Sequence, residues 1–245
     1  MKIKTSFGLS GNALKIIAAI SMLIDHIGVI FFPKIKILRI LGRIALPIFS
    51  FMIAEGARYT RNKVRYFFTI FTLAALCQLV YFLYNGDTYM SILVTFSVSI
   101  VTIYAMQFFK ESLFDNDASA LKKILSCLLF LSVVTAAYYL NTVLYIDYGF
   151  LGCMLPVFAS IFHSPKNCDV AFVKKLDIIP VHLLMLSIGM ICLAAESGGT
   201  QIWSLLALPF LIFYSGKRGK ANMKYFFYIF YPAHLLILEG INMLI

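Results

Sequence analysis

The chain has 245 residues, of which 61% are hydrophobic and only 13% carry a charged side chain. A water-soluble domain has about 45–50% apolar and about 25% charged residues, so a soluble fold of this length could not bury the excess. The formal net charge is +10, but the basic residues lie in short loops between apolar runs, as topology signals do. We therefore expect a lipid bilayer around this chain and no nucleic-acid partner.

Nine apolar runs follow one another along the chain, and most approach the roughly 20 residues that a helix needs to cross a hydrocarbon layer. They cover about 12–32, 37–57, 65–84, 90–109, 121–140, 148–163, 177–195, 201–215 and 224–244. The sixth and the eighth are short. No linker or repeat interrupts the series. We predict an all-α, polytopic integral membrane helix bundle of about nine transmembrane helices, in a single domain over 1–245.

Lysine and arginine alternate between the loops. Of the 21, 17 lie in the N-terminal segment and in the second-to-third, fourth-to-fifth, sixth-to-seventh and eighth-to-ninth loops. Cytoplasmic loops hold the basic excess, so the pattern predicts the N-terminus inside and the C-terminus outside. Lys34, Lys36 and Arg39 in the first outer loop are the exception. They indicate either a function or a short hairpin that inserts as a unit.

Several ionisable side chains lie within the predicted spans, where each is costly and therefore a candidate for function. They are Asp25, His26, Arg43, Glu55, His234 and Glu239, whereas we expect His182, at the start of the seventh span, to be structural. Asp25 points about a quarter-turn away from His26 on a helix, so we predict that it pairs with an arginine of another helix, such as Arg43. A pair that only fastens two helices is the alternative.

Lys15 and His26 are eleven residues apart, about three helical turns, and share one helix face with Ala19 and Met22. A cation at the inner rim and an imidazole deeper in the membrane suit a long ligand with an anionic end. A plain topology anchor is the other explanation of Lys15. In the second span Arg39 and Arg43 share a face, and Pro47 predicts a bend one turn further on.

Two tyrosines are candidates for acceptor binding. Tyr231 precedes Pro232 near the middle of the ninth span, deeper than an aromatic belt would place it. Tyr148 lies at the outer end of the sixth span, where an interface tyrosine is the alternative explanation. Five scattered cysteines show no metal-ligand spacing, so no metal is expected.

Blocks from the first span to the last resemble the TraX family, membrane proteins associated with acetylating the N-terminus of conjugative pilin. They include Met22-Leu23-Ile24-Asp25-His26-Ile27-Gly28, Leu41-Gly42-Arg43-Ile44-Ala45-Leu46-Pro47-Ile48-Phe49, Glu55-Gly56, Tyr148-Gly149 and Tyr231-Pro232-Ala233-His234-Leu235. The first span also resembles the opening helix of the type 3 membrane acyltransferases. Their arginine and histidine, with ten residues between them, are matched here by Lys15 and His26.

The resemblance implies an acetyltransferase of the bacterial cytoplasmic membrane that uses cytoplasmic acetyl-CoA as co-substrate. The acceptor would lie at or across the membrane: the N-terminus of an exported pilin or peptide, or alternatively an envelope glycan or cell-wall polymer modified on oxygen. An ion-coupled transporter and a non-catalytic assembly factor are the rival classes. Without inverted halves the transporter is disfavoured, and an assembly factor does not explain His26 and His234.

For an acetyltransferase we expect His26 to be the general base, since the pKa of imidazole lies near working pH. Asp25 or Glu55 would orient the site or balance its charge. Arg43 would stabilise developing negative charge or hold an acceptor carboxylate, and His234 would be a second proton carrier. The remaining assignments are Lys15, Arg58 and Arg61 for the CoA thioester, and Arg39, Tyr148 and Tyr231 for the acceptor.

Overall fold

The computed structural model describes residues 8–86, 89–165, 168–221 and 223–244. Its helices are, in chain order, α1 (Gly11–Ile30), α2 (Lys36–Gly42), α3 (Ala45–Tyr59), α4 (Lys63–Asn85), α5 (Ile92–Leu113), α6 (Ala120–Val143), α7 (Gly149–Ser160), α8 (Ala171–Leu176), α9 (Ile179–Ser197), a 3₁₀ helix (Gly199–Ala207), α10 (Leu208–Ile212) and α11 (Lys224–Asn242). Among these residues the all-α prediction is confirmed.

Every predicted apolar run is helical, but three are not single long helices. The second run, 37–57, is divided into α2 and α3, because the ring of Pro47 is incompatible with a helical hydrogen bond to the carbonyl four residues earlier. The sixth run contains only α7, whose 12 residues span about 18 Å. The eighth, 201–215, is a 3₁₀ helix followed by one turn of α-helix, which agrees with its short length in the sequence.

Six helical segments of the described residues are long and apolar enough to cross a membrane. They are Gly11–Ile30, Lys36–Tyr59, Lys63–Phe82, Ile92–Leu113, Ala120–Val143 and Ile179–Ser197. Only 11% of the apolar stretch of α6 is buried, and α4 is similar. Leu121, Ile124 and Leu128 of α6 are more than half exposed. Lipid is the favourable surrounding for so much apolar surface, so the chain is a polytopic membrane helix bundle.

The described residues form two compact units. The first comprises the described residues of the ranges 8–52 and 190–244, and the second comprises those of the range 53–189. The chain passes between them within α3 and within α9. The single-domain assignment stays a prediction.

In the first unit α1 packs against α2 and α11, and the 3₁₀ helix packs against α2. The hydroxyl of Ser10 caps α1 by accepting a hydrogen bond from the N–H of Ala13 at 3.2 Å. The first two N–H groups of α1, of Gly11 and Asn12, donate to the carbonyls of Lys217 and Arg218 in the basic loop 217–220, at 2.8 and 2.9 Å. The loop between the 3₁₀ region and α11 is thereby fixed at the start of α1.

In the second unit α5 is central and packs against α4, α6 and α7. Its buried face carries serine and threonine, which allow close approach and hydrogen bonding between helices in lipid. The hydroxyl of Ser99 donates to the carbonyl of Cys153 in α7 at 2.7 Å. The hydroxyl of Thr95 donates to the carbonyl of Asp147 at 2.8 Å. These bonds position the segment that leads into α7.

Candidate functional site

Two histidines face each other between α1 and α11. The ring centroids of His26 and His234 are 5.0 Å apart, with the planes at 78°. His234 also stacks on Phe230 at 5.0 Å and contacts the edge of Tyr231 at 5.6 Å. His26 is half-buried and His234 is 5% exposed. The structure thus brings together three of the predicted site residues, His26, His234 and Tyr231.

Both imidazoles have the same tautomer in the neutral state. Nδ1 of His26 lies 2.8 Å from the carbonyl oxygen of Met22, and Nδ1 of His234 lies 2.9 Å from that of Phe230. A carbonyl oxygen only accepts, so each Nδ1 carries the hydrogen and each Nε2 keeps its lone pair. Within the described residues Nε2 of His234 is buried without a hydrogen-bond partner. An unprotonated Nε2 is the form that a general base requires.

Lys15 lies on the same interface as the histidines. Its Nζ is 5.8 Å from the centre of the Phe227 ring in α11, so Lys15 is opposite Phe227 while His26 is opposite His234. Residue numbers therefore increase in the same direction along both helices. Ala19 and Met22, which lie between Lys15 and His26 on one face of α1, are buried. This face is therefore not open to a long ligand in the structure.

A buried ion cluster joins α1 to α2. Oδ2 of Asp25 is 2.6 Å from Nη1 of Arg39, and Oδ1 of Asp25 is 3.3 Å from Nη2 of Arg43. The predicted pairing of Asp25 with Arg43 is confirmed. Arg39, which we assigned to the acceptor, binds the same carboxylate.

The break between α2 and α3 completes this cluster. It exposes backbone carbonyls that lipid could not satisfy, and the hydroxyl of Ser21 in α1 donates to those of Leu41 and Gly42, the latter at 3.2 Å. Gly42 lies directly against Asp25, and a Cβ there would overlap the carboxylate side chain. The close approach of α1 and α2 therefore depends on a glycine at this position.

Gln201, which our sequence analysis missed, belongs to the same cluster. Its side-chain oxygen accepts a hydrogen bond from Nη1 of Arg43 at 3.1 Å, and Gln201 is 4% exposed. A polar amide at the start of a predicted apolar run was the available signal.

A second polar cluster lies in the second unit, around Asp177. Arg58 binds both oxygens of this carboxylate, at 2.7 and 2.6 Å. Nε2 of His182 lies 3.1 Å from Oδ1, and Ser164 donates its hydroxyl to Oδ2. His163 contacts the ring of His182, at 4.6 Å between centroids. Because Ser164 donates to the aspartate and not to a histidine, the arrangement is not a nucleophilic triad.

The Asp177 carboxylate is held in its charged form. Burial alone would raise its pKa, but hydrogen bonds from His182, Ser164 and Arg58 outweigh burial and hold that pKa well below the usual range. The resulting stabilisation is present above the unfolded-state pKa of about 4 and is lost only as pH falls toward the lowered value.

Four predicted site residues belong to the second unit. Glu55 Oε1 lies 3.8 Å from Nε2 of His163, and Arg58 is paired with Asp177, so its charge is not available to a phosphate unless that pair breaks. Arg61 is exposed after α3. Tyr148 precedes α7 with a φ of 61°, in the left-handed region that is uncommon for residues with a Cβ. Their assigned roles stay predictions.

Comparison with known proteins identifies relatives along nearly the whole chain. The family described as TraX protein matches residues 10–242. Over 265 aligned residues, 96% of each chain, the sequence is 27% identical to the probable fimbrial assembly protein FimC, serogroup H1, of Dichelobacter nodosus. A stretch of 54 residues, 22% of this chain and 21% of the relative, is 44% identical to an uncharacterized protein of Rickettsia prowazekii (strain Madrid E). No solved structure matches.

Replacing Gly42 tests the close contact with Asp25. Gly42→Ala should lower the melting temperature in detergent by several degrees, because the new Cβ forces Asp25 away from its arginines. Gly240→Ala is the matched control, since a Cβ at Gly240 meets no atom within 4 Å and alanine favours helix. Equal melting temperatures of the two variants would contradict the packing described.

Replacing Asp177 tests the second cluster. Asp177→Asn should lower the free energy of unfolding by about 3 kcal/mol, because it leaves the charge of Arg58, a quarter exposed, beside a neutral amide. Asp169→Asn removes a fully exposed carboxylate that pairs with Lys174 and should have no measurable effect. Thermal unfolding followed by circular dichroism separates the two, and a similar shift in both would show that the Asp177 cluster does not stabilise the fold.

Proposed function

Because this chain belongs to the TraX family, we propose that it is a membrane acetyltransferase that moves an acetyl group from acetyl-CoA to the N-terminus of an exported pilin or other peptide. The observation that carries the proposal is the His26–His234 pair, in which each imidazole presents an unprotonated Nε2. Similarity to a fimbrial assembly protein over 96% of both chains favours a peptide acceptor. The proposed location is the bacterial cytoplasmic membrane.

In this proposal the donor binds at the predicted inner side. Lys15 and the exposed cations of the loop 217–220 lie around the first turns of α1, where they would attract the phosphates of CoA. The cations of this loop take the donor-binding role that we predict for Arg58 from the sequence, because Arg58 already binds Asp177. Arg61 stays a candidate for that role.

Access for the donor would require α11 to separate from α1. The pantetheine arm must pass Ala19 and Met22, which are buried. Pro232 lies in the middle of α11 and lacks the N–H of a regular helix, which makes a bend there easier. The acceptor would arrive from the outer side or laterally, near Tyr231.

The transfer itself needs a base and an anion-stabilising group. The amine nitrogen of the acceptor attacks the thioester carbonyl carbon, and Nε2 of His26 takes the proton that the amine loses. The new C–N bond forms, the C–S bond breaks, and the departing CoA thiolate receives a proton from the imidazolium. His234, 5.0 Å from His26 between ring centroids, would pass that proton from His26 to the thiolate, and the cationic cluster of Arg39 and Arg43 would stabilise developing negative charge or hold an acceptor carboxylate.

The test uses purified protein in nanodiscs with acetyl-CoA and a peptide that has a free N-terminus. His26→Ala should lower the rate of CoA release by about 100-fold or more, the usual contribution of a general base. CoA should still raise the melting temperature of this variant, because the donor's phosphates bind elsewhere. His234→Ala should lower the rate less.

A different experimental result would contradict each part of the proposal. Unchanged CoA release by folded His26→Ala protein would show that His26 is not the base. If the parent protein releases no CoA and is not stabilised by it, a non-catalytic assembly factor is favoured. Release that requires a glycan and not a peptide would favour the O-acetyltransferase alternative.

A further inference from the structure

In the part of the chain that the structure describes, the ion cluster around Asp25 joins two cations to one carboxylate. Both guanidinium groups, of Arg39 and Arg43, contact the single carboxylate of Asp25. Arg43 is 8% exposed, so bulk water screens its charge poorly. Two guanidinium groups on one carboxylate make this site attractive to a second anion. Arg39, whose side chain is one-third exposed, gives such an anion access.

The side-chain amide of Gln201 independently indicates that an external acceptor oxygen binds at this cluster. One end of its amide is used, because the oxygen accepts from Arg43. The other end, Nε2, is buried and has no hydrogen-bond partner within the described residues. Buried N–H groups are nearly always paired, so an unpaired one beside an arginine indicates a place for an external acceptor oxygen.

The backbone that carries Gln201 is irregular. It lies in a 3₁₀ helix of nine residues, whereas runs longer than three or four residues are uncommon. Two successive glycines, Gly198 and Gly199, precede Gln201 with φ values of 65° and 59°, a conformation that glycine adopts without strain. A regular α9 continuing through this point would not need these features. The local structure places the amide of Gln201 against Arg43.

A carboxylate is the anion that fits these donors best. Its two oxygens match the paired N–H groups of a guanidinium and leave a lone pair for an amide N–H. The cluster adjoins the proposed base, because Asp25 directly precedes His26 in α1. It also lies in the predicted outer half of the membrane, on the side from which the acceptor would come.

We infer that Arg39, Arg43 and Gln201 bind the side-chain carboxylate of an acidic residue close to the N-terminus of the peptide acceptor. This inference rests on the proposed function and specifies its substrate. A peptide whose terminal amine reaches His26 would place an acidic side chain from one of its first residues against the two arginines. The chain would then select its acceptor by charge as well as by the presence of a free amine.

The test compares two synthetic peptides that differ only in Glu or Gln near the N-terminus. The protein is reconstituted in phosphatidylcholine nanodiscs, and peptide affinity is measured by thermal shift without donor, then CoA release with acetyl-CoA. The Glu peptide should bind about 10- to 100-fold more tightly, the usual effect of a charge-assisted hydrogen-bonded pair. Equal affinity of the two peptides would overturn the inference.

Gln201→Glu is the decisive variant. It keeps an oxygen for Arg43 but replaces the spare N–H donor with a second anion, so the preference for the Glu peptide should disappear. Gln107→Glu, the same change at a half-buried position of α5, should keep the preference. If Gln201→Glu does not fold, Arg39→Gln should reduce the preference instead. A preference that survives in the folded variant would also overturn the inference.

Two further results separate this inference from its alternatives. If phosphatidylglycerol in the nanodisc stabilises the parent but not Gln201→Glu, and the two peptides bind equally, the anion is a lipid headgroup and the peptide assignment is wrong. Selective binding of the Glu peptide without CoA release would support the subsite while contradicting the proposed acetyl transfer. Release of CoA at equal rates with both peptides, together with equal peptide affinities, would support the proposed acetyl transfer while contradicting the subsite.

Discussion

The first unit depends on one partly buried carboxylate, that of Asp25, which two arginines share. Removing an aspartate from water is unfavourable, and only close cations and hydrogen bonds compensate for it. Gly42 allows α2 to approach closely enough for that contact, and Ser21 satisfies the carbonyls that the break before Pro47 would leave without partners in lipid. The ion cluster and the interrupted helix therefore stabilise one another.

Fixing Asp25 also fixes its neighbour. A helix residue adjacent to Asp25 points about a quarter-turn away, and His26 accordingly faces α11, where it meets His234. The carbonyl groups of Met22 and Phe230 then set the tautomer of both rings. A polar contact between α1 and α2 thus orients a pair of imidazoles on a neighbouring face of α1, in the state that proton transfer requires.

The sequence predicts what depends on local periodicity and not what depends on distant pairing. The angular spacing of residues on a helix predicts that Asp25 points toward another helix, and the hydropathy pattern predicts each helical run. Arg58 and Asp177 are 119 residues apart, so no spacing rule brings them together, and Arg58 therefore resembled a free phosphate ligand. Gln201 is not predicted because the apolar run around it gives no sign of the 3₁₀ helix that begins at Gly199, where Gly198 and Gly199 are both in the left-handed region.

The proposed function depends on removal of a proton by His26 during transfer of an acetyl group to a peptide N-terminus. The most direct measurement uses acetyl-CoA labelled with ¹³C in the acetyl group, purified parent or His26→Ala protein, and tandem mass spectrometry of the acceptor peptide. We expect the label on the N-terminal nitrogen of the acceptor peptide with the parent protein, and almost no label with His26→Ala protein. Label on the peptide at equal levels with both proteins, or on neither, would contradict it.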